Sequence, residues 1–212
     1  MQNSLIFAMP RYLSTQDVTI NSELTDIVST FESFSGYPDV MEITQIMERI
    51  INTTLTMEEF NGYQPFLEEV AEVAIRNQDN LSNGSQALIY IRFFLEKGEF
   101  DKQTWLDLSK TIQRVLPNAS TEIILDICEI LKNNKKLDKN IGLAVAKELR
   151  GRLSTMDIND IPASTSIVCA YNQQNNHFIV DLEEGLLGSN SEDSIIPSEN
   201  IMKLTSVNFS LL

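Results

Sequence analysis

The chain has 212 residues, 42% of them hydrophobic, enough to bury a core in one elongated domain or at most two compact ones. Acidic residues outnumber Lys plus Arg by 30 to 16, and the formal net charge of −14 repels phosphate backbones and disfavours nucleic acid as a general partner. No apolar run approaches the roughly 18 residues a membrane-spanning helix needs, so no span is expected.

Charge is segregated along the chain. Residues 1–19 sum to zero, residues 20–80 to −10, residues 81–152 to +3 and residues 153–212 to −7. The first sixteen residues hold no acid, Arg11, several large apolar residues and then Ser14-Thr15. That composition resembles a mitochondrial presequence, although Pro10 sits in its middle. Residues 1–19 are read as a presequence-like segment or an apolar arm that packs on a partner.

From residue 20 the pattern is helical. Leu24, Ile27, Val28 and Phe31 form one apolar stripe, stopped by Gly36-Tyr37-Pro38. Ile43, Ile46, Met47, Ile50 and Ile51 form the next. A capping-box pair, Thr56 and Glu59, precedes a helix carrying Phe66, Leu67, Val70, Val73 and Ile75. Between Gly84 and Leu153 the sequence falls into two similar blocks. Ala87, Leu88, Ile91, Phe94 and Leu95, shifted by 36, become Ile123, Ile124, Ile127, Ile130 and Leu131.

A polar connection follows in each block, Lys97-Gly98-Glu99 and then Lys132 to Lys136. Each ends in an apolar residue and an Asp suited to a helix N-cap: Phe100-Asp101 and Leu137-Asp138 are 37 apart. The second stripes are Trp105, Leu106, Leu108, Ile112 and Leu116, against Gly142, Leu143, Val145, Leu149 and Leu153, where only the Trp/Gly position breaks the match. Asp160-Ile161-Pro162 opens a helix through Ile167, Val168 and Ala170. From His177 the pattern changes: Phe178-Ile179-Val180 suits a short helix or strand, Gly185 to Pro197 is turn-rich and acidic, and the tail from Ser198 ends apolar in Val207, Phe209, Leu211 and Leu212.

The expected fold is all-α. Tandem antiparallel hairpins repeating every 36–37 residues would build an α-solenoid over residues 20–176, followed by an irregular tail, 177–212.

Tandem helical hairpins of this length are similar to the organellar repeat families: pentatricopeptide, octotricopeptide, and the leucine-rich region of FAST-kinase-like and RAP proteins. The segments that look most like the last of these start at Thr121 (Thr-Glu-Ile-Ile-Leu-Asp-Ile-Cys-Glu-Ile-Leu-Lys) and at Leu153 (Leu-Ser-Thr-Met-Asp-Ile-Asn-Asp-Ile). The resemblance implies a mitochondrial setting, with RNA binding or a scaffold role in a large assembly. The chain departs from the RNA-binding members in its acidity and in having no repeated polar pair to read bases.

The residues of catalysis are sparse. The sole histidine, His177, lies beyond the repeats, and Cys128 sits on an apolar stripe, so a nucleophile–base pair is not expected. Cys128 and Cys169 read as reduced core thiols. Three Cys and His in total fall short of a structural zinc site. No Gly-rich phosphate loop is present, and the carboxylate pairs Glu58-Glu59, Glu68-Glu69 and Glu183-Glu184 read as solvated faces. No cofactor or metal is expected, and no catalytic activity.

The positive feature is a basic middle: Lys132, Lys135, Lys136 and Lys139 in one connection, with Arg114, Lys147, Arg150 and Arg152 near it. These residues suit helix C-termini and solubility, or a contact with RNA, an anionic headgroup or an acidic neighbour. Trp105 is expected to anchor packing between hairpins rather than to stack on a base.

The sequence therefore points to a non-catalytic accessory subunit of a mitochondrial multiprotein assembly, of the respiratory chain or ATP synthase. Its partners would be other protein subunits, with peripheral membrane contact allowed. The alternatives are an RNA-binding repeat factor or mitochondrial ribosome subunit using the basic middle, and a cytoplasmic peptide-binding adaptor.

Overall fold

A computed structural model of the protein describes residues 22–53, 63–97, 101–152 and 155–171. These residues contain eight α-helices and two short 3-10 turns, and no strand is found among them. The fold class is all-α. The N-terminal arm, the Thr56/Glu59 pair and the tail 177–212 lie outside the described residues. The chain divides between Thr111 and Ile112 into two compact units, each taken by itself below.

In the first unit, α1 (Ser22–Glu32) buries Leu24, Ile27, Val28 and Phe31, the i, i+3, i+4, i+7 stripe of an amphipathic helix. It gives way at Gly36, whose φ of +130° lies in a region that side chains rarely adopt. Pro38 and Asp39 then start α2 (Val40–Asn52). Asp39 closes a capping box: its Oδ1 accepts from the backbone N–H of Met41 (2.7 Å) and Glu42 (2.9 Å), and Glu42 accepts from the Asp39 N–H at 2.9 Å.

Helix α2 is central, packing against α1, α3 (Gln64–Asn77) and α4 (Gly84–Lys97). Its Ile43, Met47 and Ile50 are wholly buried, each contributing about 1.5–3 kcal/mol of transfer free energy. The α3 residue Phe66 meets Phe31 edge-on, centroids 5.5 Å apart. Helix α4 adds Ala87, Tyr90, Ile91, Phe93 and Phe94 to this core. The hydroxyls of Tyr63 and Tyr90 are buried without a hydrogen-bond partner, and burial pushes the Tyr90 phenol well above its ordinary value.

The dividing point falls within α5 (Lys102–Val115). In the second unit, α7 (Lys139–Arg152) packs against α6 (Thr121–Asn133), α8 (Ile161–Tyr171) and the turn Leu116–Asn118. Gly142 is buried in α7, and a Cβ built on it would overlap the ring of Tyr171. This explains why the Trp105 position of one block becomes glycine in the other: α8 lays an aromatic ring where the side chain would go.

The repeat between the two blocks has a register of 37 throughout, not 36 in its first helix. Helix α4 starts at Gly84 and α6 at Thr121; α5 spans Lys102–Val115 and α7 Lys139–Arg152. The N-caps agree. Asn83 accepts from the Gln86 N–H and Ser120 from the Ile123 N–H, while Asp101 accepts from the Thr104 N–H and Asp138 from the Ile141 N–H. Burial agrees too, pairing Ala87, Tyr90, Ile91 and Phe94 with Ile124, Ile127, Cys128 and Leu131, and Leu108 and Ile112 with Val145 and Leu149.

Two parts of the expected stripes are corrected. Ile123 and Ile130, like Leu88 and Leu95 of the first block, are only half-buried. Leu106 and Leu143, expected inside, are 43% and 42% exposed.

Candidate interaction surface

The expected basic set separates into parts with different tasks. Lys132, Lys135, Lys136 and Lys139 are all exposed at the connection of α6 and α7. The backbone there forms a Schellman turn: the Lys136 N–H donates to the Leu131 carbonyl at 2.8 Å and the Lys135 N–H to the Lys132 carbonyl at 3.0 Å. The left-handed position of that turn, usually glycine, is Lys135, with φ of 55°.

Arg152 is structural. Its guanidinium donates to the carbonyls of Leu116 (3.3 Å), Pro117 (3.1 Å) and Ala119, the turn that follows α5, and pairs with Glu148 at 3.7 Å. Those carbonyls lie at a helix end, where acceptors outnumber backbone donors; the Leu116 carbonyl also accepts from the Ala119 N–H at 3.0 Å. Arg114 is exposed in the last turn of α5. Lys147 and Arg150 border a groove of about 510 Å³ on the second unit, beside Leu143, Gly151 and Tyr171. Trp105, expected as a packing anchor, is half-buried.

Sequence reasoning missed a surface on the first unit. Gly36-Tyr37-Pro38 reads as a helix stop, but it also carries Tyr37 outward, 82% exposed. The loop is held from behind by α3: the Asn77 side-chain amide donates to the Pro38 carbonyl at 3.1 Å, and the Arg76 guanidinium stacks on the Tyr37 ring 5.4 Å from its centroid. A groove of about 460 Å³ runs beside this loop, floored by Phe31 and Val73, walled by Phe34 and Tyr37, and edged by Glu32 and Glu69. A second depression of about 320 Å³ shares Tyr37, Pro38 and Val73 with it and reaches Asp39, Arg76 and Asn77.

Reactive groups are few among the described residues. Cys128 is buried, and burial pushes its thiol up to about 11, with Lys132 opposing the shift. Cys169, expected in the core, is exposed instead: it falls on the outer side of α8, whose buried face is Ile161, Ser164, Thr165 and Val168. No group of three or more His, Cys, Asp or Glu among the described residues is placed to hold a metal ion, and no helix among them is long and apolar enough to cross a membrane. Glu68 is exposed and accepts from Gln64 at 3.2 Å; Glu69 edges the groove. His177 and the pairs Glu58-Glu59 and Glu183-Glu184 lie outside the described residues.

No protein-family profile, curated protein sequence or solved structure matches the chain.

Proposed function

We propose that this chain is a non-catalytic helical scaffold that binds other protein subunits, as an accessory component of a mitochondrial assembly of the respiratory chain or ATP synthase. The observation that carries the reading is the 37-residue register, shared by caps, helix starts and buried faces in the two blocks. Stacking such units into a solenoid is how repeat proteins build extended binding surfaces, and we extend that arrangement to this chain. Surface chemistry supports protein partners: on the first unit Tyr37 is 82% exposed and borders a groove with Phe34. The buried Cys128 thiol, with its raised pKa, is poorly suited to act as a nucleophile. The mitochondrial setting draws on the composition of residues 1–16 and on the likeness to organellar repeat proteins.

Mild-detergent purification of the tagged endogenous protein, with mass spectrometry and RNA quantification, tests this. Stoichiometric protein subunits without RNA are expected; a stoichiometric transcript or ribosomal RNA would overturn the ranking. The second reading, RNA binding, draws on the four exposed lysines of the α6–α7 connection. Neutralising Lys135, Lys136 and Arg150 should then abolish binding and flatten its salt dependence; unchanged binding would remove it.

A further inference from the structure

We infer that the groove at Tyr37 captures an extended, positively charged segment of a protein partner, seating an apolar side chain against Phe34 and Tyr37 and a Lys or Arg beside Glu32 and Glu69. The inference rests on the scaffold reading and names its partner class.

Three features carry it. The first is a presented aromatic. Tyr37 is 82% exposed, yet its loop is fixed by the Gly36 conformation, the Asn77–Pro38 hydrogen bond and the Arg76 stack. An exposed aromatic already held in place loses little conformational freedom on binding, which is what makes such residues anchors.

The second is charge. The groove is edged by Glu32 and Glu69, in a stretch, residues 20–80, of net charge −10, while the base Arg76 lines the adjoining depression with its guanidinium over the Tyr37 ring. That field attracts a cation and repels phosphate, so nucleic acids and anionic headgroups are poor occupants. The third is shape. Tyr37, Pro38 and Val73 line both the groove and the depression at Asp39, Arg76 and Asn77, so an extended chain anchored at Tyr37 has two adjoining depressions to occupy. Aromatic-lined grooves suit extended peptides, and acidic edges suit basic ones.

The probe is a phage-displayed library of random peptides selected on the full-length chain, with retained peptides then titrated by fluorescence polarisation. Retained sequences should join Lys or Arg to an apolar residue. Tyr37→Ala and Glu69→Lys should each weaken them by roughly tenfold or more, as expected for hot-spot residues, and raised salt should weaken binding to the parent chain. Circular dichroism of both variants checks that they fold; Glu32→Lys, at an exposed position, replaces Glu69→Lys if the latter unfolds.

Peptides without basic residues, equal affinity for the variants, or no enrichment over the bare support would overturn the assignment. So would self-association of the parent chain in sedimentation that Tyr37→Ala abolishes, since a second copy would then fill the groove. If stoichiometric subunits co-purify with Tyr37→Ala as well as with the parent, the groove fails and the scaffold stands. If no subunit co-purifies with the parent, the scaffold itself fails.

Discussion

Single residues decide where this chain tolerates change. Gly142 lies under the Tyr171 ring, so Gly142→Ala gains helix propensity of about 1 kcal/mol but overpacks a contact that has no room. Overpacking of this kind costs about 1–3 kcal/mol, and a net loss is expected in denaturant melts. The loss should shrink in a Tyr171→Ala background, where the overlap is gone; an equal loss in both would show that the ring is not the cause.

The two thiols should differ sharply. In the native protein a disulfide reagent should modify Cys169 and leave Cys128 untouched until denaturant is added. Because burial raises the folded-state pKa of Cys128 from 9.0 to about 11, the protonated thiol is the form the fold prefers. Its contribution to stability is complete below pH 9 and is lost as pH rises toward 11, by roughly 2–3 kcal/mol. Cys128→Ala should therefore flatten the alkaline limb of the stability curve, and an unchanged limb would assign it elsewhere, with Tyr90 as the next buried titrating group.

At the scale of elements, the ends matter as much as the faces. The α6–α7 connection spends a left-handed position on Lys135. Lys135→Gly should stabilise the protein by about 0.5–1 kcal/mol, read as a shift in urea midpoint without a change in slope; destabilisation would mean that the lysine side chain makes a compensating contact. Arg152 joins the end of α7 to the turn after α5 through carbonyls of three residues. Arg152→Lys keeps the charge but cannot reach all three, and a loss of about 1–3 kcal/mol is expected. No loss would show that those carbonyls find other donors.

The helices themselves were largely legible in the sequence, because stripes such as Leu24, Ile27, Val28, Phe31 repeat at the helical period and every one of these residues is buried. The register was less so. Hydrophobicity alone favours a shift of 36, because 37 sets Lys132 opposite Leu95, a position that the fold leaves only half-buried. The capping residues Asn83 and Ser120 carry the deciding signal, since a cap accepts from one particular N–H and admits no slip. Leu106 and Leu143 misled for the opposite reason: hydrophobicity cannot tell a core position from an exposed one that recurs in each block.

For the whole molecule, charge segregation was readable directly, and it gives the first unit its acidic groove edges. The groove itself was not, because it depends on α3 supplying Asn77 and Arg76 to a loop 39 residues earlier in the chain. The basic set shows the same limit: proximity in sequence grouped eight residues, whereas the fold commits Arg152 to a helix end and places Lys147 and Arg150 on a groove of their own.

Whether this chain works as a subunit among protein partners shows in the migration of the endogenous protein on a native gel of mild-detergent mitochondrial extract, with and without ribonuclease. A band in a large assembly that ribonuclease does not move is expected. A band at the 24.0 kDa of the chain alone, or one that ribonuclease shifts, would contradict it.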